Sequence, residues 1–424
     1  MSWVPAIAWL LLRRFRSNWV LLLITVLGVL FAQTLISASD IYSRALSEAG
    51  VRYLMSATHP SVLNTRVIVQ DRPLGSQDYQ RLISNVEPAI ESHLNWMLKN
   101  KQRYGRSQHI DMVVPPDLVP RQGGFLGRVF FQTDFREHVR ITNGHWPKEK
   151  PTINDDGIEV EGVIGTAAAN RLKLSVGSYL HLIPFKEQTS ERITITIVGT
   201  MEPIDTRDEY WMGYADYFDL EGVYEDRFSL PIYLNQENYM YGLGARFPFL
   251  VGEYGWLLYT DNDTINAETL NSAIAALSAL EKEINKIIPR SLVLSGLDNT
   301  LKTFRQNLTL FRIPVLLFFY LLLAVLFYFL FLVIGILTRS RRGEISLLRS
   351  RGASSLQLNI LLLLGDGLLI AVAIGLGPLV AMTLSEPVLY AMLGPRVAPD
   401  AARVLGFSHN LAFLAGIGAT ITVG

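Results

Sequence analysis

The residues of this chain best spaced for a specific contact lie in one basic stretch, "RSRRGEISLLRSRGASSLQLN", Arg339 to Asn359. Taken as a helix, Glu344, Ile345, Leu348, Arg349 and Gly352 fall at offsets of 0, 1, 4, 5 and 8 and share one face. Ile345 and Leu348 then form an apolar knob, Glu344 and Arg349 a charged rim beside Arg342, and Gly352 ends or bends the helix. This is the chemistry of docking, in which the knob of a short amphipathic helix enters a groove on a soluble protein. The same spacing suits a helix lying on anionic lipid, with arginines at the headgroups and leucines in the acyl boundary. Spacing alone leaves both open.

Bond-making chemistry finds no comparable constellation. The sequence has no G-x-x-x-x-G-K-[ST], no H-E-x-x-H and no G-x-S-x-G, so P-loop nucleotide binding and the common hydrolase motifs are excluded. The absence of cysteine excludes disulfides, thiolate metal sites and cysteine nucleophiles. The seven histidines are scattered, His138 and His145 do not make a ligand spacing, and "DND" at 261–263 lacks the glycine and glutamate of a calcium loop. No metal and no cofactor is therefore expected on this chain. Two features remain. "RDEYWMGYADYF", Arg207 to Phe218, concentrates Tyr210, Trp211, Tyr214 and Tyr217, which read either as a partner or substrate surface or, more simply, as packing. Asp366 is the one charge inside an otherwise apolar span, and an arginine of the nearby loop is its natural structural partner.

The elements that position these residues are membrane spans. The chain of 424 residues is 50% hydrophobic and only 18% charged, below the quarter usual for soluble proteins, and the deficit is concentrated in a few windows. Residues 18–38 carry no charge over the ~30 Å of a bilayer core, and 314–337 form the clearest span. A third span is expected over 360–384, and a fourth begins at 411 and is cut short by the end of the sequence. A carboxylate left in hydrocarbon would cost several kcal/mol, so a longer natural chain is expected. A signal peptide competes for the first span. Its apolar run is longer than the ~7–15 residues of a signal core, and residues 1–17 form an amphipathic interfacial helix leading into it, so an uncleaved anchor is expected.

Arg13, Arg14 and Arg16 without an acid, and five arginines against Glu344 in 338–359, place both segments on the cytoplasmic side of a cell membrane. The loop 385–410 and the large region 39–313 are then extracytoplasmic. That region is big enough for one or two folded domains. "RVIVQ", "GRVFFQT", "YLHLIPF" and "RITITIVGT" alternate as strands, whereas Leu270, Ile274, Leu277, Leu280 and Ile284 recur at helical spacing within 266–288. The expected class is a membrane protein with four helical spans and an α+β outer domain, strand-rich over about 150–235. Net neutrality gives no case for a nucleic-acid partner.

The run from Arg341 to Ser354 resembles the cytoplasmic loop of FtsX/MacB-type ABC transporter permeases, in which R-x-x-E-I-x-x-L-R-x-x-G-A-S precedes the next span. "AIAWLLLRRFRSNWVLLLITVLGVLFAQTL" is similar to that family's amphipathic helix and first span. "ITNGHWP", "GVIGTAAANRLKLSVGSYLHL" and "ITIVGTMEP" resemble its G-R-x-P, A-x-x-L-x-L-x-V-G-D and V-V-G-x-x-x-P landmarks. His145 stands where the family usually has arginine, and Ser178 where it has aspartate. The resemblance implies a permease half that is not itself catalytic, paired with a second copy or a homologous half. A separate ATPase, carrying the ATP and Mg, docks on Arg342, Glu344, Ile345, Leu348, Arg349 and Gly352. Asp366, at the family's acidic position, helps hold the third span to the loop. ATP-driven closure of the ATPase pair would pass along the spans to the outer domains, serving export or extraction of lipoprotein, peptide or drug, or control of an envelope partner. The alternative is a receptor or scaffold whose basic loop binds lipid.

Overall fold

The computed structural model describes residues 19–115, 124–148, 151–154, 157–185, 191–212, 216–224, 227–340, 343, 346, 350, 367, 370–385, 387 and 390. They fall in two units, 1–54 with 303–424, and 55–302.

In the first unit, helix α1 (Trp19–Ala57) has 39 residues. At 1.5 Å per residue it is about 58 Å long, nearly twice a bilayer core. The first span was expected to end at residue 38, where charge reappears. The helix continues because the charges recur one turn apart: Arg44 Nε lies 3.1 Å from Asp40 Oδ2, and Arg52 Nε donates to Glu48 Oε1 at 2.8 Å. The second compact unit begins at residue 55. Helix α1 packs through small residues, as membrane helices do. A Cβ on Gly28 would enter the Leu330 side chain, and one on Gly377 would enter Gln33. Ile41 and Ala45 meet Ala381.

By the same rise, the 45 residues of the last long helix before the arginine loop, Gly296–Ser340, give about 67 Å. It starts well before Pro314, the expected start of the second span, and runs through that proline. Phe318, Tyr320, Leu321, Val325, Tyr328 and Phe331 are exposed on it, as a lipid-facing surface requires. A third apolar helix covers Ile370–Ser385.

The second unit is a mixed sheet. Its strands are β1 (Thr65–Pro73), β2 (Leu98–Ser107), β3 (Ile110–Val113), β4 (Leu126–Gln132), β5 (Val139–Gly144), β6 (Thr152–Asn154), β7 (Gly157–Gly165), β8 (Tyr179–Ile183), β9 (Arg192–Pro203), β10 (Glu221–Tyr224), β11 (Arg227–Tyr233), β12 (Val251–Thr260) and β13 (Leu292–Ser295). Along the sheet the order is β10-β11-β7-β9-β8-β3-β4-β2-β12-β1-β13, with β5 on β9 and β6 on β7. A further parallel pairing of β4 with β11, Leu126 opposite Ser229, closes β11, β7, β9, β8, β3 and β4 into a ring. The strand-rich region expected over 150–235 is thus completed by two strands from 110–132, and β2, β12, β1 and β13 extend the sheet away from the ring. In the ring, a Cβ on Gly162 would meet the Ile232 and Ile195 side chains.

The strands form where side chains alternate, so each presents two faces. One face of the extension carries Val67, Val69, Tyr254 and Trp256, and Phe131 on the neighbouring β4 continues it. Against it lies the helix Ser76–Leu94, which buries Tyr79, Leu82, Val86, Ala89, Ile90 and Leu94, and which packs on the helix Leu270–Ile287. The latter buries Leu270, Ile274, Leu277, Leu280 and Ile284, the stripe expected from the sequence. Gly105 sits beneath Phe131 and Tyr254, whose rings occupy the space a Cβ would need.

Candidate functional site

Of the residues expected to dock an ATPase, Arg342, Glu344, Ile345, Leu348, Arg349 and Gly352 lie outside the described residues, as do Asp366 and Tyr214. Their described neighbours Gly343, Ser346 and Ser350 are helical.

The aromatic run is described on both sides of 213–215, and it forms a strap across the second face of the sheet. Asp208 caps a tight turn at Glu209–Trp211 by accepting from the Tyr210 amide at 2.9 Å. The same carboxylate reaches His138, whose Nδ1 is 2.6 Å from Asp208 Oδ2 and whose ring stacks on Tyr210 at 3.7 Å. The Tyr210 hydroxyl donates to Thr133 O at 2.8 Å, and Trp211 Nε1 donates to Asp205 O at 2.8 Å. Tyr210 and Trp211 are each 3% exposed and belong to a cluster with Phe130, Phe135, Phe218 and Tyr233; Tyr217, half-buried, stacks on Phe130 at 4.5 Å. Burial pushes the Tyr210 and Tyr217 phenols up. For Tyr210 and Trp211 the surface reading therefore gives way to packing: indole and phenol have their polar atoms satisfied inside the fold.

Below the strap runs a line of charge that the sequence did not signal. Glu253 on β12 accepts from Tyr104 OH at 2.7 Å and from Arg106 Nε at 2.9 Å, both on the neighbouring β2. Burial opposes its ionisation, but Arg106 and these hydrogen bonds outweigh burial and hold the carboxyl below its ordinary value. Further along, Arg128 Nη1 lies 3.4 Å from Glu221 Oε1, and Arg227 Nη2 donates to Asp111 Oδ1 at 2.6 Å. Burial and the neighbouring Arg106 lower Arg128. His109, 3.0 Å from Ser229 Oγ, is lowered by burial and then by Arg128. Gln132, opposite Tyr104 in the register and 4% exposed, has neither amide atom hydrogen-bonded. Apart from Gln132, these groups hold strands together by pairing with one another. Among the described residues no cluster of three metal-ligand side chains occurs. His145 Nδ1 lies 2.9 Å from Trp146 O, and Asp261 of "DND" caps a short turn by accepting from the Asp263 amide.

A second constellation connects the strap to the chain's long helices. Asn64, 4% exposed, donates from Nδ2 to Glu209 Oε1 at 2.9 Å and accepts from the Thr260 amide at 2.9 Å. Glu209 also pairs with Lys99. Next to Asn64, Thr65 Oγ1 donates to Ser295 Oγ at 2.8 Å, and Ser295 Oγ accepts from the Asp298 amide at 3.3 Å in the first turn of the helix from Gly296.

No family model matches this chain, and no curated protein matches it. Among solved structures, the crystal structure of the periplasmic region of MacB from Actinobacillus actinomycetemcomitans is similar to it over 58% of this chain and 94% of that one. The identity is 10% and the TM-score 0.29. At that degree of likeness, function has to be argued from this chain's own residues.

Proposed function

We propose that this chain is a permease subunit of an ABC transporter, which passes movement driven by a separate ATPase to its outer sheet unit. The observation that supports this most is the pair of long helices. The helix Trp19–Ala57 and the helix Gly296–Ser340 each exceed a ~30 Å bilayer core by tens of ångströms and each carries residues of both units. A continuous helix transmits displacement along its axis, which a flexible linker does not. The second of them leads directly into the arginine loop, whose resemblance to permease coupling loops supplies the other half of the reading.

In this reading Glu344, Ile345, Leu348 and Arg349, flanked by Arg342 and Gly352, dock the ATPase that holds ATP and Mg. Asp366 ties the third span to the loop. The chain sits in the cell membrane as a multi-pass protein with the sheet unit outside, and works with a second copy or a homologous half. The cargo is a lipoprotein, peptide or drug, or the movement controls an envelope partner.

The test is affinity purification of the complete natural chain from its native membrane beside a Glu344→Lys/Leu348→Asp variant. Stoichiometric recovery of an ATP-hydrolysing subunit with the natural sequence and its loss with the variant is expected. Recovery of none with either sequence would replace the permease with a receptor whose basic loop lies on lipid.

A further inference from the structure

Both long helices join the outer sheet at one place. After Trp19–Ala57 comes a short helix at Pro60–Leu63, then Asn64 and β1; the helix from Gly296 follows β13 directly. Thr65 at the start of β1 is opposite Ser295 at the end of β13 in the antiparallel register. The two approach closely: a Cβ on Gly296 would run into the Val62 backbone. The residues that follow the first helix, Val62 to Thr65, and the start of the second therefore share one hydrogen-bonded junction.

Among the described residues, the turn Glu209–Trp211 lies against the short helix Pro60–Leu63, and its hydrogen bond to the junction is made by the Glu209 side chain. Glu209 accepts from Asn64, and Asn64 fixes the end of β12 through the Thr260 amide, while Thr260 Oγ1 donates to Leu63 O at 2.8 Å. On the other side of Glu209, Tyr210 and Trp211 are held by His138 and Thr133 from beyond β4, and Tyr259 OH lies 2.9 Å from Tyr210 O. A polar path thus runs from His138, through Asp208 and Glu209, to Asn64 and then to the Thr65–Ser295 pair. All of it lies within residues 55–302.

We propose that Glu209 and Asn64 form a latch, by which the packing of the aromatic strap sets the order of the junction where both long helices meet the sheet. Closed, the strap holds Asn64 and so the ends of β1, β12 and β13. Lifted, it leaves the buried Asn64 Nδ2 without its acceptor, and the junction opens more often. Glu209 acts as a positioning residue. The latch would serve any movement carried by the helices, so it does not depend on an ATPase being the driver.

Hydrogen–deuterium exchange on the full chain in detergent micelles, without any partner, tests it. Glu209→Ala is expected to speed exchange about tenfold in 61–66 and 292–301, the scale of losing one part-buried hydrogen bond to a charged acceptor. Glu209→Gln keeps an acceptor for Asn64 and is expected to restore protection. Lys99→Ala, which removes only the ion pair, is expected to leave the junction unchanged. Transmission is tested from the far side of the strap: His138→Ala should speed exchange at the junction severalfold, and should add nothing in a Glu209→Ala background. The latch is overturned if Glu209→Ala loosens only 205–212, if Glu209→Gln behaves like Glu209→Ala, or if the His138→Ala effect is absent or persists without Glu209. A failure to recover an ATPase would leave these outcomes untouched, so the two readings fail separately.

Discussion

The two faces of the sheet are closed by opposite means. The face under the two helices is closed by rings: Tyr79 lies 5.0 Å from Tyr254 and 5.9 Å from Phe131, with Trp256 fully buried beside them. The face under the strap has aromatics at one end and, at the other, carboxylates and guanidinium groups shared across β12, β2, β4 and β10. Apolar packing loses stability in proportion to the atoms removed. A paired charge does not: deleting one partner strands the other, whereas deleting both removes the desolvation problem as well. The same size of substitution should therefore behave differently on the two faces.

The largest effect is expected on the helix face. Tyr79→Ala should cost about 4 kcal/mol, as a large aromatic truncated in a core does. It is measured as a lowered midpoint for loss of near-ultraviolet circular dichroism when the full chain is denatured in micelles. On the strap face, Glu253→Leu should cost about 3 kcal/mol because Arg106 is left buried without its carboxylate. Adding Arg106→Met should recover most of that loss. A double variant no better than the single would mean that Arg106 is satisfied elsewhere, and the contrast between the faces would collapse. Third in size, Gly105→Ala pushes a methyl into the Tyr254 and Phe131 rings and should cost about 1–3 kcal/mol.

The contrast also explains what could be read from the sequence. The first half of "RITITIVGT" and the helix stripe from Leu270 to Ile284 were legible because burial on one side imposes a period, and "RVIVQ" because Val67, Ile68 and Val69, all buried, make a short apolar run. The strap has no period: its aromatics arrive in one run, and only the fold shows that Tyr210 and Trp211 point inward. The charge line was illegible because its partners are far apart in the chain, 147 residues for Arg106 and Glu253. The same holds for closure of the ring, which depends on β4 meeting β11 in parallel register. The continuation of the first helix beyond the apolar window was not read from the sequence for a different reason. Asp40, Arg44, Glu48 and Arg52 end an apolar window, but at a spacing of four they continue a helix. The residues of the arginine loop stand on their sequence pattern alone.

Smaller effects sharpen the comparison at single polar atoms. Tyr79 OH is buried without a hydrogen-bond partner, and burial pushes the phenol up to about 12. Tyr79→Phe keeps the ring and removes an unsatisfied hydroxyl, so it should be neutral or stabilise by up to about 1 kcal/mol. Gln132→Met on the strap face should do the same, because neither amide atom is paired. If Gln132→Met instead destabilised, the amide would be serving a partner and the strap face would be more polar in use than its hydrogen bonds indicate.

The smallest effect is a titration. Burial, then Arg128, lowers His109 below its ordinary 6.5. The unfolded chain then takes up a proton first as pH falls, so the stability tied to neutral His109 is complete above 6.5 and is lost as pH drops through the lowered value. Glu253 has the same sign in a more acidic window, since its lowered carboxyl loses its contribution only below about 4.5. Melting the full chain between pH 7.5 and 5.5 should show a decline that His109→Gln reduces and Glu253→Gln does not. His181, lowered by burial and by Arg192, titrates with the same sign, so part of the decline should persist in the His109 variant. A decline untouched by His109→Gln would mean that Glu221, which raises His109, offsets burial and Arg128 together.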